Sequence, residues 1–522
     1  MKKHSALFLV LCLTLGLCVS CGQATSAPSA APSGEAPVVE TDSAGTTLKV
    51  ALTNPFSGTS AINISNPYRY ATFSQVYETL IAYEDGKYVG ILAKEWKKLD
   101  DYTWQVTLFD DIKDSQGNPF TSSDVAWSFD GQKTAGHVLR IYYEFGAVEV
   151  VDDTTFKLTL NTDSDGAFYL LGVQMLLCTQ KASDDSPDQL ATMPVGTGPY
   201  LCTKYVEGSS CTLTKRSDYW KKENLPKASL ANVDTIEISY VPEAVQMLGT
   251  IVSGNVQVAG EVDMSISKDV DSAPNVLTKY ISNGTYNGLA FNMKGRAVSD
   301  NKALREAISY AIDPQGLIDA VYTGHATIMD TYGMATASDY NPAWVSGISY
   351  DPEKAKEKLT EAGYPDGITI TLVSNNVGED AQLSELIQGY LGAAGINCVL
   401  DYVDPASGAA RLAEGEWDIT HSGGIGVLDM SLFWGNIYNK SETDMSMYFH
   451  NDPALYEIYD AYKLAGGKTA ENLQKLYEYE YDNVTWLPLF NKHVFFALSG
   501  GYKDIYLNDC YMSLPYLGSV TR

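Results

Sequence analysis

The sequence predicts an α/β protein of two or three domains, and three observations carry that prediction. Apolar runs that read as strands, such as residues 368–373 and 397–402, alternate with capped amphipathic helices. The 522 residues exceed what one hydrophobic core serves. Hydrophobic residues make up 45% of the chain and charged residues 19%, a folded rather than a disordered composition.

Taken in order, residues 1–20 have a basic start (Lys2, Lys3), an apolar run and small residues, and read as a secretory signal. Cys18-Val19-Ser20-Cys21 resembles a bacterial lipobox, with Cys18 where Leu is usual, which implies lipidation of Cys21. Residues 21–46 are rich in Ala, Ser and Pro and cannot bury a core. They read as a flexible tether of roughly 25–30 Å reach.

A first strand is expected over residues 48–52, then a polar loop over 53–68 and a helical pattern over 73–83. Asp85-Gly86 marks a turn, residues 103–109 alternate as a strand, and Thr121 with Asp124 opens a helix holding Val125, Trp127 and Phe129. Asn161, Asp163, Asp165 and Gly166 match an EF-hand loop, but its twelfth position is Gly172, which excludes the bidentate ligand calcium needs. Residues 194–220 predict a hairpin, with arms at 200–206 and 211–215 around Glu207-Gly208-Ser209. Gly196 and Gly198 permit positive φ ahead of it, and Pro199 bars a helix. Downstream, Asp300 is expected to cap a helix with Ala303, Leu304, Ala307, Ile308 and Ala311 on one face. Asp313-Pro314 starts a helix closed by Gly324, and Asp351-Pro352 starts one closed by Gly363.

Charge and motifs exclude several functions. The formal net charge of −28 becomes −30 once Lys2 and Lys3 are removed, a field that repels nucleic acid and anionic membrane surfaces. Only His137, His325, His421, His450 and His493 follow the leader, and no HExxH, GxSxG or P-loop occurs, so no catalytic residue, metal site or cofactor is assigned. Five cysteines remain (Cys178, Cys202, Cys211, Cys398 and Cys510), and Cys202 and Cys211 sit on opposite hairpin arms where a disulfide can form. The 35 tyrosines against 15 phenylalanines suit half-wet surfaces, whether a ligand wall or an interface between lobes.

Residues 77–129, VGTGPY at 195–200, Arg216-Ser217-Asp218-Tyr219-Trp220, and residues 233–263, 286–326 and 350–373 together resemble the family 5 extracytoplasmic solute-binding proteins of peptide and nickel ABC importers. The resemblance implies a two-lobed periplasmic-binding-protein fold of type II, the large peptide-binding class with an inserted subdomain. Lobe 1 would combine residues 47–73, 190–285 and 487–522, with 74–189 inserted, and lobe 2 would span 286–486. Two hinge crossings would lie near 286–292 and 486–490. It further implies a monomeric receptor, not an enzyme, anchored outside the cell membrane by its lipid. That receptor would deliver a peptide or other small solute to a heterodimeric permease with cytoplasmic ATPases.

In peptide-binding relatives the segment equivalent to residues 418–434 carries a Trp, then an Asp that pairs with the peptide ammonium, then an acidic residue followed by Pro. Here Gly424 takes the Trp position, Gly426 or Val427 the ammonium position, and Asp429 precedes Met430. Either Asp429 replaces the anchor or the solute has no free amino terminus, because a buried ammonium without a carboxylate is costly. His421 falls near a position where relatives carry Arg for a ligand carboxylate, and is otherwise a hydrogen-bonding strand histidine. Phe56, Ser57, Tyr286 and Trp434 are the remaining candidates for the ligand wall. An oligosaccharide or other organic solute is the alternative ligand, and a secreted hydrolase the alternative class.

Overall fold

The computed structural model describes residues 45–522 apart from 55–57, 63–71, 136–144, 162, 164, 336, 338, 377, 405–406, 425–429, 431–432, 435–451, 465 and 509–513. The leader with Cys21, and also Phe56, Ser57, Asp429, Cys510, His137 and His450, lie outside the described residues.

The first strand, β1 (Thr47–Leu52), enters a large sheet. The next six strands do not. β2 (Ile81–Glu84) and β3 (Lys87–Gly90) make a two-stranded sheet. β4 (Ala93–Lys98), β5 (Thr103–Leu108), β6 (Phe145–Val150) and β7 (Thr155–Leu160) make an antiparallel sheet of order β4-β5-β7-β6. The chain rejoins the large sheet through the hairpin β8 (Tyr200–Val206) and β9 (Ser210–Lys215), then β10 (Thr235–Tyr240), β11 (Val258–Gly260) and the 15-residue β12 (Leu277–Phe291). β13 (Ala326–Ile328), β14 (Ile368–Asn375), β15 (Ile396–Val403), β16 (Ile419–Gly424) and β17 (Trp486–Leu498) complete its 11 strands. The order is β15-β14-β16-β12-β17-β11-β1-β10-β9-β8, with β13 on β17.

Alternation along these strands separates two apolar layers, one on each face of the sheet. Leu48, Val50, Leu52, Ala290, Phe496 and Leu498 belong to one layer. Ala51, Ala259, Leu289, Phe291, Phe495 and Ala497 belong to the other.

Both expected crossings fall inside the antiparallel pair β12 and β17, which runs through the middle of the sheet. Leu277–Ser282 pairs with residues from Leu498 to His493, and pairing resumes at Tyr286 with Asn491 after a register shift. That irregularity separates a half that neighbours β11 from a half that neighbours β16. The two lobes are thus joined by a two-stranded ribbon with a bulge at its waist, where a bend disturbs the fewest ladder bonds.

Local signals explain most elements. Thr121 and Asp124 form the capping box of helix Ser122–Thr134. Asp313 and Asp351 cap the helices Pro314–Val321 and Pro352–Glu361, each with Pro in the first turn. Three expectations need correction. Helix Lys302–Ala311 is capped by Asn301 rather than Asp300, its side chain accepting from Leu304 N. The helical pattern over 73–83 does not form a helix. The Gln75 and Val76 carbonyls accept from Tyr200 N and Gly198 N instead, and the segment continues into β2. Gly196 and Gly198 do not adopt positive φ; they are needed because a Cβ would lie 2.2 Å from Val76 O at the first and 2.6 Å from Gln75 O at the second.

This packed loop is held by one buried guanidinium. Arg216 donates from Nη1 to the carbonyls of Gly196, Thr197 and Gly198, and from Nη2 to that of Asp114. Nearby, the buried Glu78 carboxylate accepts from Tyr219 Oη at 2.6 Å, Trp220 Nε1 at 3.1 Å and Ser229 Oγ at 3.2 Å. Residues 216–220 therefore clamp the hairpin onto the segment around residues 75–78.

Candidate functional site

In open α/β sheets, ligands bind outside the carboxyl ends of parallel strands. Two such edges occur here, one on each side of the β12/β17 ribbon: β1 runs parallel to β10 and β11, and β14 runs parallel to β15 and β16.

At the carboxyl ends of β14, β15 and β16 lies a cavity of about 420 Å3. Its polar lining includes Asn287, Ser374, Asn375, Asp380 and His421, and Leu383 and Ile387 of helix Gly378–Ala393 close one side. His421 Nε2 lies 2.7 Å from Ser384 Oγ, whose hydroxyl also reaches the Asp380 carbonyl at 2.8 Å. With that hydroxyl proton on the carbonyl, Nε2 carries the imidazole proton and Nδ1 remains an acceptor. Burial holds the His421 pKa below its ordinary value, opposed by the Asp380 charge, so the ring is neutral near pH 7. Asn375 Nδ2 donates to Asp380 at 2.6 Å. Asn287 Nδ2 has neither solvent nor a partner among the described residues, and Asn287 lines this cavity.

Tyr286 and Trp434 do not share it. Tyr286 is 2% exposed and Trp434 fully buried, in an aromatic cluster with Phe433 and Trp486 on the opposite face of the sheet from His421. Ring centroids of Tyr286 lie 5.2 Å from Phe433 and 5.6 Å from Trp486, both edge-on. This cluster accounts for Gly424, since a Cβ there would approach Tyr286 Oη to 2.4 Å. Gly424→Ala is expected to cost about 1–3 kcal/mol, the range for overpacking. Urea denaturation checks this, and Tyr286→Leu in the same chain is expected to recover part of the loss.

At the other edge, β11 ends at Gly260, and Glu261 follows with φ +56°, a left-handed conformation that costs a non-glycine residue roughly 1–3 kcal/mol. Thr53 Oγ1 donates to the Glu261 carbonyl and Asn54 Nδ2 to its Oε2, both at 2.8 Å. Oε1 is shielded from solvent and has no partner among the described residues. Burial pushes the carboxyl up to about 7, despite the opposing hydrogen bond from Asn54 and the charge of Lys492. Lys492, on β17, pairs with Glu379 at 2.9 Å, at the start of helix Gly378–Ala393. One lysine on the crossing ribbon thus stands in the field of carboxylates from both edges.

Sequence reasoning overlooked Glu261. Its signal was a lone carboxylate closing the apolar run Val256-Gln257-Val258-Ala259-Gly260, ahead of Val262. The EF-hand-like residues are explained by Lys98 Nζ, which is 2.8 Å from Asp163 and 2.9 Å from Asp165. Cys202 and Cys211 meet as thiols with sulfurs 3.5 Å apart. No helix among the described residues is long and apolar enough to cross a membrane.

The chain is a two-lobed α/β protein with polar groups gathered at two strand edges. Residues 87–452 match the family described as bacterial extracellular solute-binding proteins, family 5 Middle, and the chain belongs to that family. It is 28% identical over 380 residues to heme-binding protein A of Haemophilus influenzae, covering 67% of each chain. It is 27% identical over 381 residues to the glutathione-binding protein GsiB of Salmonella paratyphi A, covering 70% of each. Among solved structures, the ABC transporter substrate-binding protein CtaP of Listeria monocytogenes superposes with a TM-score of 0.77 at 19% identity, over 91% of this chain and 99% of that one. DppA of Helicobacter pylori, in complex with the peptide STSA, superposes at 0.72 and 20% identity, over 91% and 98%. The chain is therefore a bacterial extracellular solute-binding protein of family 5.

Proposed function

We propose that this receptor captures peptides between its lobes and delivers them to a two-subunit permease powered by cytoplasmic ATPases. The observation that carries the reading is the pairing of donors and acceptors at facing strand edges. Asn287 Nδ2 and the Nδ1 acceptor of His421 suit an amide backbone, and carboxylates flank them. Lobe 1 comprises residues 47–73, 190–285 and 487–522, with 74–189 inserted, and lobe 2 comprises 286–486; the separate sheets built from β2 to β7 support that division. Solute shifts the lobes toward closure only by binding the closed arrangement more tightly, and the β12/β17 waist is where the bend falls. The mature chain is a monomer tethered through a lipid on Cys21, and it turns over no substrate.

A thermal-shift screen of the mature chain from Gly22 against peptides, oligosaccharides and nickel chelates tests this reading. A solute at 100 times its dissociation constant adds about 2.7 kcal/mol. Stabilisation by peptides is the expected result. Stabilisation by sugars alone replaces the solute while leaving the receptor role in place.

A further inference from the structure

We infer that Glu261 is the carboxylate that receives the primary ammonium group of the bound solute, an inference that rests on the peptide-receptor reading. The group stands at the carboxyl ends of β1 and β11, where an open parallel sheet offers its ligand crevice. Its backbone is pinned in a left-handed conformation by the hydrogen bond from Thr53, which fixes where the side chain starts. Asn54 occupies Oε2, and Oε1 is shielded from solvent with no partner among the described residues.

A shielded carboxylate oxygen with no donor is a deficit, and a charged N–H donor corrects it. Lys492 does not supply one, because its ammonium is placed 2.9 Å from Glu379. Geometry then selects the kind of cation. A guanidinium engages both oxygens of a carboxylate in parallel, but Oε2 is already taken, so the single open oxygen suits the compact ammonium of an amino terminus or a lysine-like side chain. The anchor is thereby placed on the strand edge opposite the carboxyl ends of β14, β15 and β16.

The test measures binding by calorimetry of tri-alanine, a mixture of free tri- and tetrapeptides, their N-acetylated counterparts and maltotriose to the mature chain. The chain is tested as the parent and as Glu261→Gln, Glu261→Asp and Asp429→Asn. The expected result has two parts. N-acetylation weakens binding to the parent at least 30-fold, about 2 kcal/mol, and Glu261→Gln removes that preference while still binding the acetylated peptides. Glu261→Asp keeps the preference at reduced strength and Asp429→Asn keeps it intact, which a role confined to folding or to balancing Lys492 does not predict. Equal binding of free and acetylated peptides overturns the inference and leaves the peptide reading standing, as does a preference that survives Glu261→Gln or vanishes in Asp429→Asn. Binding of maltotriose alone, or of no amine-bearing probe, overturns both.

Discussion

Replacing Arg216 by methionine is expected to lower the unfolding free energy by about 3–5 kcal/mol, the largest effect of any single change considered for this chain. The side chain is buried, and besides the Asp218 carboxylate it donates to backbone carbonyls that have few other donors. Gly196 O retains Ser115 N and Asp114 O retains Gly117 N. The carbonyls of Thr197 and Gly198 lose the donor supplied by Arg216, and each buried, unsatisfied group costs about 1–3 kcal/mol. Methionine fills much of the vacated space, so the loss measures polar satisfaction more than a cavity. Equilibrium urea unfolding provides the measurement, with Arg216→Lys as a second variant. Lysine keeps the charge but not the planar fork, and is expected to recover less than half. A loss below about 1 kcal/mol in the methionine variant would refute the clamp.

Glu261→Gln is expected to stabilise the solute-free protein at pH 8 and to leave it nearly unchanged at pH 4.5. The carboxyl titrates at about 7 when folded against 4.5 ordinarily. Between those values the folded chain keeps a proton that the unfolded chain has released, so stability falls as pH rises through that window. Once both states are ionised the difference is about 3 kcal/mol, which the neutral amide escapes. His421 acts in the opposite sense: its pKa is depressed by burial, so the stability it contributes is complete above 6.5 and is lost as pH falls toward its folded value. The difference between parent and variant isolates Glu261 from such terms. Denaturation curves at the two pH values, without solute, decide the matter. An equal change at both would show that Glu261 is not held in its acid form by burial. A side chain that weakens the empty receptor while serving the loaded one fits the trade between stability and function.

The helix boundaries were largely legible in the sequence because their causes are local. Asp313-Pro314, Asp351-Pro352 and the Thr121/Asp124 box each satisfy helix-terminal amides within four residues of themselves. The hairpin at β8 and β9 was equally visible, since its turn at Gly208 has the positive φ that only nearby residues need to accommodate. The segment 73–83 misled for the converse reason. Its periodicity is helical, but amides from residues 198 and 200 claim the carbonyls that a helix would use.

What the sequence by itself determined was the class: alternating strands and capped helices, a charge that excludes nucleic acid, and blocks resembling family 5 receptors. The tertiary structure alone decided which candidates are packed in a core and which line a cavity. Tyr286 and His421 sit on neighbouring strands, but they point to opposite faces of the sheet, so one fills a core and the other lines a cavity. Glu261 gained its raised pKa from burial, against the opposing hydrogen bond from Asn54 and the charge of Lys492, both more than 200 positions away. Desolvation and charge pairing depend on what surrounds a group in space, and a linear spacing of residues does not encode that surrounding.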